Sequence, residues 1–208
     1  MDGNNRWSKK NSKPLYEGYK KGALRIIEIA TYIFDNYKTS HVSAFALSAN
    51  NLKRSQHFLK IFRNVLNDLI DEYLNLKLNF RITFLGNINI FDEKTIKSFH
   101  KIQNQNKNLK KNLIIFINYS GKTDIINTLN KVNTISSKNI NQLLTTKGIP
   151  DPEVLIRTGG FHRISDFMLY QLSFTELFFL KKLWPDLSFK DIGKIIDNYL
   201  KIERKFGI

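Results

Sequence analysis

The 208-residue chain contains no cysteine. That excludes a disulfide framework and any thiolate metal site, and it fits a reducing compartment, so a cytoplasmic protein is expected. No run of about eighteen apolar residues is present, the length that a membrane-spanning helix requires. The N-terminal Met1-Asp2-Gly3-Asn4-Asn5-Arg6-Trp7 has no apolar signal segment. Acidic residues are scarce: 18 Asp and Glu stand against 33 Lys and Arg, a formal net charge of +15. Such a charge suits a polyanionic partner. Yet the lysines are scattered among many Asn and Ile, residues that share AT-rich codons with Lys. There is no basic run of five and no nucleic-acid motif, so no nucleic-acid partner is expected. Small phosphorylated substrates, and an anionic membrane surface touched peripherally, account for the charge as well.

What is present is enough apolar material for a full core, and the length favours one domain over 1–208. Leu24, Ile27, Thr31 and Phe34 recur at helical spacing, so Tyr16 to Tyr37 reads as an amphipathic helix. His41 to Leu47 is a short buried strand. Ser55 begins a helix whose Phe58, Ile61, Phe62, Val65, Leu66, Leu69, Ile70 and Tyr73 make a wide apolar face. Phe80 to Leu85 is a strand stopped by Gly86. Asp92 to Asn106 is helical, Leu113 to Ile117 a strand, and Gly121 to Val132 a helix. A strand centres on Leu155. Ser173 to Phe179 could be strand or helix. Ser188 caps a last helix running to about Lys205, with Asp191 in its first turn. This alternation predicts an α/β fold: a single domain with a mainly parallel central β-sheet flanked by helices. Ligands of such sheets gather beyond the carboxyl ends of the strands.

The polar motifs fall at those ends. Val154 to Ile156 runs into Arg157, a Thr-Gly-Gly turn, Arg163 and Ser165. Two guanidiniums across a glycine turn make a pocket for a doubly charged oxyanion, because Arg matches phosphate with a fork of donors. The alternative is a surface turn with two solvated arginines. Asp2 to Trp7 packs a carboxylate, a glycine, two amides and a guanidinium together. A hard cation such as Mg²⁺ commonly binds one or two carboxylates plus substrate phosphates. A disordered terminus is the competing reading. Ser48-Ala49-Asn50-Asn51-Leu52-Lys53-Arg54 follows a strand and suits a phosphate, or is only a helix cap. Ser120-Gly121-Lys122-Thr123 is no P-loop, since Phe116 stands where the first glycine is required. His162 and Glu176 are candidate metal ligands with no helical register linking them. Glu176, inside an apolar aromatic stretch, needs an Arg, a hydroxyl or a metal as partner.

In this order the segments resemble the cis-prenyltransferases, the family of bacterial undecaprenyl diphosphate synthase. The family's Asp-Gly-Asn-Gly-Arg-Trp corresponds to Asp2 to Trp7, and its Phe-Ser-x-Glu-Asn-Trp-x-Arg to Leu47 to Arg54. Its Asn-Tyr-Gly-Gly-Arg corresponds to Asn118 to Lys122, and its Ile-Arg-Thr-Gly-Gly-Glu-x-Arg-Ile-Ser to Ile156 to Ser165. A Leu-Trp-Pro-Asp segment, Leu183 to Asp186, follows, and Arg204 to Gly207 resembles the family's Arg-Arg-Phe-Gly end, with Lys205 in place of an Arg. The resemblance implies condensation of isopentenyl diphosphate onto an allylic diphosphate such as farnesyl diphosphate. The product would be a long cis-polyprenyl diphosphate, a lipid carrier for cell-wall synthesis. Asp2 would bind Mg²⁺ and assist ionisation. Gly3, Asn4, Asn5 and Arg6 would hold the primer diphosphate, with Trp7 beside it. Ser48, Ala49, Asn50, Asn51 and Leu52 would form the condensation site, Asn51 matching the proposed proton acceptor. Arg54, Arg157, Arg163, Ile164 and Ser165 would bind isopentenyl diphosphate. His162 and Glu176 match metal-associated positions. The apolar helix faces would line a tunnel for the growing chain. A homodimer is implied, with the C-terminal Lys205-Phe206-Gly207 reaching the neighbouring site.

This chain departs from the family pattern at several positions. Asn5 replaces a Gly. Leu15 and Tyr19 replace an Arg and a His that help the primer diphosphate leave. Asn50 and Leu52 replace a Glu and a Trp, Ser120 and Lys122 a Gly and an Arg, and Phe161 a Glu. The apolar strand that leads into the first motif in the family does not precede Asp2, so a sheet lacking that strand is expected, with Asp2 on a frayed end. These departures support one other reading, a non-catalytic scaffold subunit. Retention of Asp2, Asn51, Arg157, Arg163 and Glu176 argues against it.

Overall fold

The computed structural model describes residues 1–131 and 137–204. Helix α1 spans Asn4–Lys10 and α2 Leu15–Asn36; strand β1 is His41–Ser48; α3 is Gln56–Asn75; β2 is Arg81–Leu85; α4 is Glu93–Gln105; β3 is Asn112–Tyr119. Then come α5 (Gly121–Leu129), α6 (Ser137–Leu143), β4 (Val154–Arg157), β5 (Glu176–Phe179) and α7 (Phe189–Tyr199).

Strand β3 is central because its sequence suits burial on both faces: Leu113 to Ile117 are all buried. It is flanked by β1 and β2, both parallel to it, with Asn112 level with His41 on one side and Arg81 on the other. Strands β4 and β5 form a second parallel pair, Val154 opposite Glu176. The expected parallel sheet is therefore found, but as a three-stranded and a two-stranded ladder. The aromatic stretch that was open between helix and strand is the strand β5.

The main core lies between the β1–β3–β2 ladder and helices α2, α3 and α4. It joins Ile26, Ala30 and Phe34 of α2, Val65, Leu69 and Tyr73 of α3, and Phe99 and Ile102 of α4. Full burial of such side chains stabilises by about 1.5–3 kcal/mol each. Trimming Phe99 to Ala, for example, would cost about 3–5 kcal/mol. A smaller cluster of Ile114, Phe116, Tyr119 and Met168 occupies the other face of β3.

Two expectations are corrected. Residues 4–10 form helix α1, not a loose terminus. It packs on α2 where Gly18 and Gly22 allow it: a Cβ would lie 2.1 Å from Ser8 Oγ at Gly18, and 2.1 Å from Asn4 Oδ1 at Gly22. The last helix stops at Tyr199, short of Lys205. Its start agrees, with a reciprocal cap between Ser188 and Asp191. Beyond it Arg204 turns back, donating to Glu153 Oε1 (3.1 Å) and to the Phe174 carbonyl (3.1 Å), which ties the chain to the β4–β5 ladder. Lys205, Phe206 and Gly207, and Val132 at the expected end of α5, lie outside the described residues.

Candidate active site

Strand β4 delivers Arg157 to its carboxyl end, and the Gly159-Gly160 turn brings the next residues back over it. Gly159 has φ +88°, and a Cβ there would sit 2.5 Å from an Arg6 nitrogen and 3.1 Å from Asp2 Cγ. No larger residue fits so close an approach. The turn is fastened by Gly159 N–H to the Lys182 carbonyl and Gly160 N–H to the Leu180 carbonyl, both 2.8 Å.

Against this turn lies Asp2, and it is not frayed. Its N–H donates to Thr158 Oγ1 (2.9 Å), the Thr158 hydroxyl donates to its carbonyl (3.0 Å), and Trp184 N–H donates to the same carbonyl (2.9 Å). Its carboxylate accepts from Arg157 (3.0 Å) and Arg6 (3.3 Å), and Arg6 also donates to the Gly159 carbonyl (2.8 Å). Arg157 further donates to the Arg163 carbonyl (2.5 Å) and to Ser165 Oγ (2.6 Å). Its side chain is only 12% exposed. Arg157 is thus an internal clamp with its terminal nitrogens engaged by protein acceptors, rather than a free fork. Arg163 is exposed, and among the described residues its side chain donates no hydrogen bond and makes no ion pair. Ile164 is half-buried and Ser165 exposed; Ser165 has φ +53°.

Beside this cluster is a narrow, partly open apolar cavity of about 70 Å³. Met1, Asn4, Tyr19, Gly22 and Trp184 form its polar-side wall. Ala23, Ile26, Phe62, Val65, Leu69, Tyr73, Phe84 and Ile102 continue it between α2, α3, α4 and the sheet. Both helix faces expected to line a tunnel contribute, though most of α2's apolar face is ordinary core. Asn4 Oδ1 is buried at this wall with no hydrogen-bond partner among the described residues. Arg54 reaches across to the Tyr19 hydroxyl (3.2 Å) and lies over the Phe58 ring. Burial raises the Tyr19 phenol above its ordinary pKa, against the lowering pull of Arg54.

Other expected site residues are placed elsewhere. Trp7 is buried, its indole N–H on Asp186 (2.7 Å) and the Lys21 ammonium over its ring, so it braces α1 instead of lining the cavity. Asn5 is exposed, as is Asn50, while Leu15 and Leu52 pack against the core. Ser48 and Asn51 form a reciprocal cap: Ser48 Oγ accepts from Asn51 N–H and Asn51 Oδ1 from Ser48 N–H, each 3.2 Å. Ala49 sits within the turn that this cap starts. His162 is exposed and stacked on Phe179, ring centroids 5.1 Å apart. Glu176, the half-buried first residue of β5, has no side-chain partner among the described residues. The structure does not gather Asp2, His162 and Glu176: among the described residues no group of three or more His or acidic side chains could hold a metal.

Three contributors were not anticipated. Asp166 accepts from Ser120 Oγ (2.6 Å) and Lys122 N–H (2.9 Å), fixing the arginine loop to the start of α5. Trp184 donates through Nε1 to the Gly22 carbonyl (2.7 Å) and so walls the cavity. Phe161 stands among the arginines. Trp184 belongs to the Leu-Trp-Pro-Asp segment already noted, and Phe161 was marked only as a departure from the family pattern; nothing local in the sequence marks Asp166.

A family model described as "Putative undecaprenyl diphosphate synthase" matches residues 1–207. The chain belongs to this family of cis-prenyltransferases. A tritrans,polycis-undecaprenyl-diphosphate synthase (geranylgeranyl-diphosphate specific) of Pyrobaculum aerophilum is 34% identical over 99% of this chain and 92% of its own length. An isoprenyl transferase of Thermotoga maritima is 31% identical over 100% of this chain and 94% of its own. Lavandulyl diphosphate synthase from Lavandula x intermedia, solved with dimethylallyl diphosphate, superposes with a TM-score of 0.87 at 25% identity, covering 100% of this chain and 95% of that one. The cis-prenyltransferase fold and the family's transferase activity are therefore those of this protein. Among the described residues no helix is long and apolar enough to cross a membrane.

Proposed function

We propose that the protein extends an allylic diphosphate, farnesyl diphosphate or a longer primer, with isopentenyl diphosphate in a Mg²⁺-dependent reaction. The product is a long cis-polyprenyl diphosphate such as undecaprenyl diphosphate, the carrier for cell-wall polysaccharide. The observation that carries this reading is the junction of a cationic cluster with an apolar cavity. Arg6 and Arg163 meet diphosphate oxygens at the mouth, and the hydrocarbon occupies the space walled by α2, α3 and the sheet. The primer's allylic C–O bond breaks and its diphosphate leaves. The isopentenyl double bond forms the new C–C bond, and a proton is lost to restore the alkene.

The protein's own groups serve these steps by position. Arg157 holds Asp2 in place, and the Asp2 side chain stays 35% exposed. Asn4 Oδ1, unpaired at the wall, is an acceptor for a substrate or a water. Arg54 and Tyr19 act together, a cation and a phenol joined by a hydrogen bond; Tyr19 stands where the resemblance places a His, and the Arg of that pair is Leu15 in this chain. Asn51 is the proton acceptor in this reading, and taking the proton requires its Oδ1 to release the 3.2 Å bond from Ser48 N–H. A single half-exposed carboxylate fits Mg²⁺, which keeps several waters and completes its shell with substrate phosphates. When bound, the ion would neutralise charge on the departing diphosphate. Guanidiniums and a metal aimed at a developing charge lower the barrier most in a water-poor site. His162 and Glu176 would join only in a homodimer that brings them to a neighbouring site. The exposed Leu177 and Leu200 near the β4–β5 ladder support such a contact.

The test is a primer comparison. Radiolabelled isopentenyl diphosphate is supplied with dimethylallyl, farnesyl or geranylgeranyl diphosphate, and product lengths are read by mass spectrometry. Products of about fifty or more carbons from the longer primers are expected. A single condensation with every primer would overturn the long-chain reading.

A further inference from the structure

The Phe161 ring is the meeting point of three guanidiniums. Arg163 lies 4.3 Å from its centroid, Arg6 5.1 Å and Arg157 5.6 Å. The ring is 40% exposed, so it is no part of the core. Three cations this close repel one another, and one carboxylate, Asp2, is paired with two of them. Arg163 has no such partner among the described residues. An aromatic face attracts a guanidinium through its quadrupole and engages the cation's flat side, which leaves the edge N–H donors free for an oxyanion. A carboxylate in the same place would occupy those donors and neutralise part of the charge.

We propose that Phe161 is a positioning residue that holds Arg163 beside Arg6, with the Arg163 donor edge open, for a diphosphate; Arg6 itself is fastened to the Gly159 carbonyl and the Asp2 carboxylate. The Gly159-Gly160 turn presents the ring, and Arg157, fixed to Ser165 and Asp2, forms the base of the group. The ring sets affinity for the diphosphate moiety and not the chemical step. Without it the exposed Arg163 side chain loses its place beside Arg6, and ligand binding must reorder it. This inference rests on the diphosphate-site reading above.

The experiment measures inorganic diphosphate binding by titration calorimetry for the full chain and for Phe161→Leu, Phe161→Tyr and Arg163→Ala. Leu keeps apolar bulk and removes the quadrupole; Tyr keeps both. Phe161→Leu is expected to bind about five- to thirtyfold more weakly, the sum of partly exposed cation–π contacts, with Phe161→Tyr within about twofold of the parent. Melting temperatures should agree across the four proteins. In turnover, Phe161→Leu should raise KM for isopentenyl diphosphate with kcat little changed. If Phe161→Leu binds like the parent, or Phe161→Tyr falls with it, the proposal is overturned, and a weakened Arg163→Ala in the same series leaves the diphosphate site standing. If the parent does not bind diphosphate, or Arg163→Ala binds as the parent does, the site reading fails and the proposal with it.

Discussion

Removing Arg157 and removing Arg163 should have opposite signatures, although the two residues look alike in sequence. Arg157 is 12% exposed and donates to Asp2 (3.0 Å), the Arg163 carbonyl (2.5 Å) and Ser165 Oγ (2.6 Å). Arg157→Ala leaves the Asp2 carboxylate with Arg6 alone and the loop carbonyl unpaired. Hydrogen bonds to charged groups contribute about 1.5–3 kcal/mol each, and breaking a buried ion pair costs about 3–5 kcal/mol. Asp2 is 35% exposed, so water recovers part of this and about 2–4 kcal/mol remains. For a chain of this length, that lowers Tm by about 5–15 °C. Arg163 is exposed and its side chain donates to nothing among the described residues, so Arg163→Ala should shift stability by under about 0.5 kcal/mol. Its loss removes a charge-assisted phosphate contact, raising KM for isopentenyl diphosphate about ten- to a hundredfold. Arg163→Lys should recover only part, because a point charge cannot reproduce the fork. Scanning calorimetry and initial rates on the same preparations decide it. If Arg157→Ala melts with the parent while Arg163→Ala is the destabilised one, the division between clamp and ligand is wrong.

Gly18→Ala should destabilise by about 1–3 kcal/mol and depress activity, since its Cβ would lie 2.6 Å from the Asn4 carbonyl oxygen and force α1 from α2; denaturant titration checks it. Ala23→Leu, which adds bulk to the cavity wall, should shorten the products seen by mass spectrometry without changing consumption of the first isopentenyl unit. Burial alone would raise the Asp191 carboxyl, but hydrogen bonds from Lys182 and Ser188 outweigh it and bring the pKa down to about 2. A depressed folded pKa means stability present above the unfolded value of about 4 and lost as pH falls through about 2. Asp191→Asn should therefore be less stable at neutral pH and flatter between pH 4 and 2 in acid titrations followed by circular dichroism.

The parts of the fold written in local pattern were legible. The unbroken apolar run Leu113 to Ile117 announced a strand, which the structure buries on both faces, and Ser55, Asp92 and Ser188 marked helix starts that the structure confirms as caps. Helix α1 was not legible, because Asp-Gly-Asn-Asn has loop character and the helix is held by tertiary contact with Gly18 and Gly22. The division of the sheet into two ladders depends on long-range pairing that no local signal carries. At the site, Arg157 and Arg163 were legible as a pair, but not that one is engaged inside the protein and the other free. Ser48 and Asn51 satisfy both a cap and a substrate site in sequence, and the structure shows the cap. Asp166 acts on Ser120 and Lys122, and Phe161 gathers the distant Arg6 with its neighbours Arg157 and Arg163, so their contribution appears only once the loops are folded.

The most direct test of the account is incorporation of radiolabelled isopentenyl diphosphate into butanol-extractable product with farnesyl or geranylgeranyl diphosphate as primer. It is measured with Mg²⁺, with excess chelator, and for Asp2→Ala with Mg²⁺ restored. The account predicts incorporation that chelator abolishes, that Mg²⁺ restores in the parent, and that Asp2→Ala lowers by at least a hundredfold, since about 2.7 kcal/mol of transition-state stabilisation is at stake. Equal incorporation in chelator, or an Asp2→Ala protein as active as its parent, would contradict it.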